Sequence, residues 1–146
     1  MQRRELIGVL GATAAGLVAI NGGNAQAAQG HRDTAHEGCL KACSDCAKTC
    51  DETFHHCYMQ VAEGKRDHAK ALHLASDCAA FCGLASCMIA KHSPLMAYSC
   101  HACAEACKAC AVECDKLDSP EMKACAKSCR ACETACREMV KDMSSR

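Results

Sequence analysis

Between residues 100 and 114, apolar and polar positions alternate with a helical period, and cysteine occupies the apolar stripe. The segment C-H-A-C-A-E-A-C-K-A-C-A-V-E-C places thiols at alternating steps of three and four residues. On an α-helix these steps are the a and d positions of a heptad, where Leu or Ile normally lies. Glu105 and Lys108 point away from this stripe. The pattern predicts an amphipathic helix whose buried face consists of sulfur.

The same spacing occurs in two further segments of the chain. The cysteines at these steps are Cys39, Cys43, Cys46, Cys50 and Cys57 in the first segment, Cys100, Cys103, Cys107, Cys110 and Cys114 in the segment above, and Cys125, Cys129, Cys132 and Cys136 in the last. Thr53 takes the step that cysteine skips. Another segment has a mixed stripe composed of Leu74, Cys78, Phe81, Cys82, Ala85 and Cys87. The repeats indicate a common cysteine-lined core.

Turn and capping residues divide this pattern into four predicted helices, over residues 34–62, 66–91, 94–117 and 120–143. Thr34 begins a capping box that ends at Glu37, and Gly64 interrupts the pattern after the first helix. Ser93 and Ser119 each precede a proline, which suits the first helical position because no backbone N–H is needed there. Short connections between four amphipathic helices predict an all-α, antiparallel up-down-up-down four-helix bundle.

The first 27 residues have the features of an export signal. Arg3 and Arg4 precede a Gly- and Ala-rich apolar run, and Ala25-Gln26-Ala27 fits a cleavage site. Twin arginines before a mild apolar run are typical of the Tat pathway, and an ordinary secretory signal is the alternative. We expect a Tat-type signal peptide over 1–27, a flexible segment over 28–33, and a bundle domain over 34–146. The mature chain is then periplasmic and has no membrane span.

Composition narrows the possible functions. The 146 residues include 17 Lys and Arg and 17 Asp and Glu, so no strong basic surface is available for nucleic acid. Apart from histidine, two Phe and two Tyr are the only aromatic side chains, and a conventional apolar core would be thin. The 17 cysteines are an odd number, so disulfides cannot pair all of them within one chain.

Buried thiols of this density must be protonated, oxidised or metallated, because an isolated buried thiolate is strongly unfavourable. Soft sulfur ligands select Cu(I), Zn(II) or iron–sulfur clusters. Repeated Zn(II) sites with four thiolates each would retain negative charge in a narrow core. One Cu(I) ion per thiolate is electrically neutral. The residues therefore favour a store of multiple Cu(I) ions along the thiol stripes.

With repeated C-x-x-x-C and C-x-x-C helices between His36 and Met143, the chain resembles the copper storage proteins, which are cysteine-lined four-helix bundles. The resemblance implies that the chain stores Cu(I), is not an enzyme and assembles into a homotetramer. The leader makes it similar to the exported branch of that family, which is linked to supplying copper enzymes such as methane monooxygenase. In the second helix the implied ligands are Cys78, Cys82 and Cys87, although Cys87 is out of strict register.

Antiparallel topology gathers uncharged copper ligands at one pole of the predicted bundle. We call this set the mouth, and it consists of His36, Met88, His92, Met96, Met139 and Met143. Thioethers and imidazoles bind Cu(I) without carrying charge, so we expect ions to be captured there and passed inward. Methionines that only fill the end of a bundle are the alternative. The opposite pole gathers Val61, Leu72, Leu117 and Met122, which predict an apolar plug.

Other readings of the cysteines remain as alternatives. An iron–sulfur or zinc thiolate protein, or a disulfide-based redox or structural protein, would also use many thiols. A di-iron enzyme needs two E-x-x-H motifs with further carboxylates, whereas Glu52 and His55 form a single such motif and are expected to face solvent. Covalent c-type haem is excluded because no C-x-x-C is followed by His.

Overall fold

A computed structural model describes the backbone of residues 22–145 and the side chains of residues 34–145. It contains four α-helices: α1 (Gly22–Ala62), α2 (Ala69–Ala90), α3 (Met96–Cys114) and α4 (Pro120–Ser144). A short 3-10 turn, Arg66–His68, lies between α1 and α2. No strand occurs in the described part of the chain. The all-α prediction is confirmed.

The four helices form a closed ring in which α1 and α3 each pack against both α2 and α4. Sulfur contacts give the relative directions of the helices. Cys39 meets Cys136 whereas Cys50 meets Cys125, so α1 and α4 run antiparallel. In the contacts between α2 and α3 and between α3 and α4, residue numbers likewise rise along one helix and fall along the other, so these pairs are also antiparallel. The predicted up-down-up-down bundle is therefore present.

Cysteine and alanine make up most of the interior. The buried apolar residues other than cysteine are Ala71, Ala75, Ala85, Ile89, Met96, Ala104, Ala111, Met122, Ala126 and Met139. Thr53 is buried at the step that cysteine skips, and its hydroxyl donates to the carbonyl of Thr49 at 2.8 Å. Because most of these side chains are small, the helices approach each other closely around the sulfur atoms.

The stripe predicted for α2 is wrong at two positions. Phe81 and Cys87 are exposed. The buried residues of α2 are Ala71, Ala75, Cys78, Cys82, Ala85 and Ile89, which follow strict steps of four and three. The helix thus has the same period as the others, but alanine occupies several positions where they have cysteine. The predicted stripe left out Ala71, Ala75 and Ile89 and included Phe81 and Cys87, which lie outside this register.

The predicted start of the first helix at Thr34 is wrong, because α1 begins at Gly22. Residues 28–33, which were expected to be a flexible segment, have helical backbone. Ala and Gln are frequent between residues 25 and 29 and favour the helical state, so a capping box inside the segment does not set the boundary. Residues 1–21, with the twin arginines and most of the predicted signal peptide, lie outside the described residues.

The two serine–proline signals behave differently. Ser119 caps α4 as predicted, since its hydroxyl accepts a hydrogen bond from the N–H of Met122 at 3.3 Å and Pro120 follows it. Ser93 does not cap α3, which begins only at Met96. Its hydroxyl instead accepts from the N–H of Leu95 within the preceding turn. The pair Ser93–Pro94 therefore marks the connection between α2 and α3 rather than the start of α3.

By length and composition alone, the segment Arg66–Ala90 could cross a membrane. The core helices of soluble proteins meet the same criterion, and α2 contributes Cys78 and Cys82 to the bundle interior. We therefore describe α2 as one wall of the bundle.

Candidate metal centre

Sixteen of the seventeen cysteines are buried in the bundle, and all seventeen are free thiols. We call the buried set the core thiols; they are Cys39, Cys43, Cys46, Cys50, Cys57, Cys78, Cys82, Cys100, Cys103, Cys107, Cys110, Cys114, Cys125, Cys129, Cys132 and Cys136. The structure thus brings these predicted ligands into one interior. Cys87 is the exception, because its position in α2 points to solvent, and its assignment to the core is wrong.

Core thiols from different helices touch each other directly. The Sγ atoms of Cys43 and Cys136 are 3.5 Å apart, as are those of Cys103 and Cys82. A disulfide bond is much shorter, about 2.05 Å. The contacts are therefore weak S–H···S hydrogen bonds and van der Waals contacts. The core is a dense array of thiols that is not cross-linked.

The core thiols form overlapping groups of four. Three such groups are Cys43, Cys103, Cys132 and Cys136; Cys46, Cys78, Cys82 and Cys107; and Cys50, Cys110, Cys125 and Cys129, each with sulfur atoms within 4.8 Å of one another. Two further groups share members with these and connect them. Because neighbouring groups share sulfurs, they form one continuous column along the bundle axis rather than isolated sites.

The spacing of the column fits soft metal ions. At a metal–sulfur bond of about 2.3 Å, the value for zinc, two sulfurs on one ion are at most roughly 4.6 Å apart. The observed contacts of 3.5 Å and 3.7 Å between Cys103 and its neighbours Cys82 and Cys132 lie within that limit. Thiolate ligands select Cu(I), Zn(II) or iron–sulfur clusters. The arrangement can therefore hold a row of such ions without large movement of the helices.

The net charge of the loaded column distinguishes Cu(I) from Zn(II). Among the described residues no Lys or Arg side chain is buried, so no protein cation neutralises thiolates in the column. A zinc ion with four thiolates would keep two negative charges, and repeated sites would accumulate them in a low-dielectric interior. Cu(I) with one thiolate per ion is neutral. The electrostatics of the core thus favour monovalent copper over zinc.

Without metal, the thiols are held mainly in the protonated form. Burial, together with the nearby Cys125, raises the pKa of Cys57 to about 11. Within the column, thiols also act on one another. A hydrogen bond between Cys107 and Cys103 lowers the pKa of Cys103 and raises the pKa of Cys107, because a thiolate at Cys103 would accept the proton of its neighbour. Metal binding must therefore displace protons from the column.

Two histidines of the predicted mouth come together in the structure. The ring centroids of His36 and His92 are 5.5 Å apart. His92 follows α2 in a left-handed conformation with φ 47°, which is uncommon for a residue other than glycine. Its N–H donates to the carbonyl of Ile89, and the N–H of Ser93 donates to the carbonyl of Met88, as in a Schellman motif. This helix end fixes the imidazole of His92 beside His36.

The methionines of the mouth line the same end of the column. Met96 and Met139 are buried, and Met88 and Met143 are partly buried against the core. A surface cleft of about 370 Å³ has His36, Ile89 and His92 among its lining residues. A second cleft, of about 270 Å³, is lined in part by Met139 and by Cys39, the first core thiol. Two surface clefts therefore approach the column at the mouth.

The E-x-x-H motif lies on the outer surface, as predicted. Glu52 and His55 are both exposed, and the carboxylate of Glu52 lies 3.7 Å from the ammonium of Lys48. Neither side chain reaches the core thiols, so the motif has no part in the column.

The opposite pole is less uniform than the predicted apolar plug. Met122 is buried there, and its Sδ accepts a hydrogen bond from the Sγ of Cys57 at 3.7 Å. The pole also contains His68, a buried histidine that the sequence analysis missed. His68 lies in the 3-10 turn, where neither the thiol spacing nor the heptad pattern applies. Nothing in the periodicity of the sequence could have assigned it to the interior.

Comparison with known proteins agrees with this arrangement. Residues 32–141 match the profile of the Csp family, whose description is copper storage protein. The cysteine-rich protein YhjQ of Bacillus subtilis (strain 168), described as uncharacterized, is 38% identical over 84 residues, which are 56% of this chain and 74% of that protein.

Solved structures with the same fold include copper-loaded proteins. One is the Cu(I)-bound copper storage protein BsCsp3 from Bacillus subtilis, with a TM-score of 0.68 and 36% identity over 73% of this chain and 98% of that chain. Another is a cytosolic copper storage protein from Streptomyces lividans in a structure with five coppers, with a TM-score of 0.70 and 26% identity over 77% and 97% of the two chains.

We expect the metal-free protein to lose thermal stability as the pH rises above about 9. The folded state raises the pKa of Cys57 to about 11 from the ordinary value of 9.0. The unfolded chain therefore releases this proton first, and stability that is intact below pH 9 is lost between the two values. A shift of this size corresponds to roughly 2–3 kcal/mol. Circular dichroism melts in the absence of oxygen measure the effect.

The copper-loaded protein is the control for this pH series. Its core thiols have no protons to lose, so its melting temperature should change less over the same pH range. Equal changes in the metal-free and loaded proteins would contradict the assignment to the thiols.

Proposed function

Because the chain belongs to the copper storage protein family, we propose that its core thiols hold many Cu(I) ions as a store inside the bundle. The observation that supports this proposal is the continuous column of core thiols, in which neighbouring groups of four share sulfur atoms. Related proteins have been solved with Cu(I) bound and with 10 copper equivalents loaded. A column in which neighbouring ions share ligands suits bulk storage better than a single defined metal site.

The neutrality of the column predicts its capacity. With no buried Lys or Arg among the described residues, each thiolate needs one positive charge from the metal. The store should therefore approach one Cu(I) per core thiol. Cys87 is exposed and separate from the column, so it adds nothing to the store.

The thiolate ligands of the column favour storage over catalysis. The column offers thiolates on all sides, and a catalytic metal keeps an open position for water or substrate. Glu52 and His55, the residues of the enzyme-like motif noted above, lie on the outer surface. We therefore assign no catalytic residue.

Replacement of Cys103, Cys107 and Cys110 by alanine should lower the copper capacity by about three ions. The loss should be slightly larger where copper ions bound to neighbouring thiolates also lose a shared ligand. Anaerobic Cu(I) titration against a chromophoric chelator measures the capacity. Cys87→Ala is the matched control and should keep the full load. The helices should remain, since alanine has the higher helix propensity.

Three results would count against copper storage. They are an unchanged capacity in the triple variant, an equal loss in Cys87→Ala, and a preference for zinc or iron when the metal-free protein is offered all three metals.

We propose that copper reaches the column through the mouth. His36 and His92 lie together at the edge of one cleft, and Met139 leads from a second cleft to Cys39. Thioethers and imidazoles bind Cu(I) more weakly than thiolates, so an ion captured there moves inward with a favourable change in free energy.

The combined variant His36→Ala, Met96→Leu and Met143→Leu should therefore slow Cu(I) uptake severalfold while the final capacity stays near that of the wild type. Leucine keeps most of the volume of methionine and removes only the thioether. Stopped-flow transfer from a Cu(I)–chelator complex measures the rate. The control is His55→Ala with Met59→Leu, which alters an exposed histidine and methionine near the other end of α1. Equal rates in both variants would contradict the role of the mouth.

We further propose that the protein is exported through the Tat pathway, acts in the periplasm as a homotetramer, and supplies copper to exported enzymes. The support for export is the twin-arginine leader with Ala25-Gln26-Ala27. The support for assembly is a set of exposed apolar side chains: Phe54, Tyr58, Met59, Phe81, Leu84, Leu95, Tyr98 and Val112. Burial of such side chains between copies would be favourable. The Streptomyces lividans relative is described as cytosolic, so export would be a difference from that protein.

Isolation of the protein from the periplasmic fraction tests export and assembly together. We expect an intact mass that lacks residues 1–27 and a sedimentation coefficient of a homotetramer. A variant with Arg3→Lys and Arg4→Lys should remain in the cytoplasm with its leader. A full-length monomer confined to the cytoplasm would contradict both parts.

A further inference from the structure

Two imidazoles lie together at the opposite pole, far from the mouth. His56 belongs to α1 and His68 to the 3-10 turn, and their ring centroids are 5.8 Å apart with the planes tilted by 56°. His68 is buried, with 8% of its surface exposed. This pole therefore has a pair of potential nitrogen ligands where an apolar plug was expected.

His68 is oriented by a carboxylate. Its Nδ1 lies 3.0 Å from Oδ1 of the neighbouring Asp67. This hydrogen bond is the main cause that lowers the pKa of Asp67, so the carboxylate is ionised and accepts the Nδ1 proton. The Nε2 atom of His68 then carries the lone pair. Histidines that bind metals commonly have this carboxylate–imidazole arrangement, which fixes both tautomer and ring orientation.

His56 presents a nitrogen without a partner. Its Nε2 atom is buried and has no hydrogen-bond partner among the described residues. A buried polar atom in this state costs about 1–3 kcal/mol, and a bound ion is one of the few arrangements that relieve the cost. The second ring faces the first at close range, so one ion could satisfy both.

The distance between the rings agrees with a shared ion. At a metal–nitrogen bond of about 2.0–2.1 Å, two imidazoles on one metal have their centroids roughly 5 to 6 Å apart. The 5.8 Å between His56 and His68 lies in that range.

Soft donors continue from this pole into the column. Cys57 follows His56 in the chain, and its Sγ contacts Sδ of Met122 at 3.7 Å. Cys57 also interacts with Cys125, which belongs to the column. At the surface, the carboxylate of Glu121 lies within electrostatic range of His56 and has stronger hydrogen bonds with its own backbone and Ser119. A cation at the imidazole pair would thus lie between an acidic surface residue and the thiols.

We propose that His56 and His68 bind one Cu(I) ion at the opposite pole and that this site exchanges copper with the column by way of Cys57 and Met122. The proposal rests on the storage function given above. Neutral imidazoles bind Cu(I) more weakly than thiolates, so the site fills last and empties first. It gives the store a second opening, with nitrogen ligands in place of the methionines of the mouth.

Nuclear magnetic resonance of the full chain with ¹⁵N-labelled histidine tests the site directly, because Cu(I) is diamagnetic. Cu(I) is added without oxygen until the core thiols are full and then in slight excess. We expect the Nε2 resonances of His56 and His68 to shift with the last additions. His55 in α1 and His73 in α2 are exposed and should not shift. Unchanged resonances of His56 and His68 at full loading would overturn the proposal.

Removal kinetics test the exchange. The variant His56→Gln with His68→Gln should hold about one Cu(I) fewer and release copper to a chelator severalfold more slowly than the wild type. The matched control is His55→Gln with His73→Gln, and circular dichroism shows whether both variants keep their helices. If release and capacity are the same in both variants, the exchange site is wrong. If the double variant does not fold, the resonance experiment on the wild-type chain still decides.

Failure of this site is distinguishable from failure of copper storage. A chain that does not bind many Cu(I) ions refutes the store itself. A chain whose thiols fill normally, with no shift at His56 and His68, refutes only the second opening.

Discussion

The burial of sixteen thiols, with no Lys or Arg side chain buried among residues 34–145, constrains the rest of the structure. In the metal-free state most of these groups remain protonated, since a charged thiolate would lie in a low-dielectric interior that contains no Lys or Arg side chain among the described residues. In the loaded state the positive charge has to come from the metal itself. A monovalent ion meets that requirement with one ion per thiolate, and the same core is then neutral in both states. Proton and Cu(I) are thus interchangeable occupants of one scaffold.

A bundle that takes up copper must be folded before metal binds, and its interior can pack without metal. Free cysteine packs as a small apolar residue, and alanines such as Ala75 and Ala104 let the helices approach. Stability is supplemented at the helix ends and surfaces, by the Ser119 cap and by Arg137, which bridges Glu133 and Glu105 across α4 and α3. Copper can therefore enter a folded bundle, in contrast to small zinc domains that fold only around their ion.

Sequence periodicity predicted the bundle and all sixteen core thiols because a heptad stripe directly reports which face of a helix is buried. It failed where burial does not follow from spacing alone. Cys87 was placed on the inner half of its helix although it lies outside the strict register, and α1 extends beyond its capping box. The pairs His36–His92 and His56–His68 join residues far apart in sequence or set in turns, so only the folded chain reveals them.

A store must bind its contents tightly inside and release them at its boundary, and the chain separates these tasks along the bundle axis. Thiolates, the strongest copper ligands present, occupy the middle, and imidazoles and thioethers occupy the two ends. Between the two ends, the buried side chains are mainly cysteine and alanine, and ion pairs such as Arg137–Glu105 lie on the outside of the helices. Copper is therefore expected to move lengthwise through neighbouring sulfurs, and the rate of exchange depends on the weak ligands at the poles rather than on opening of the helices.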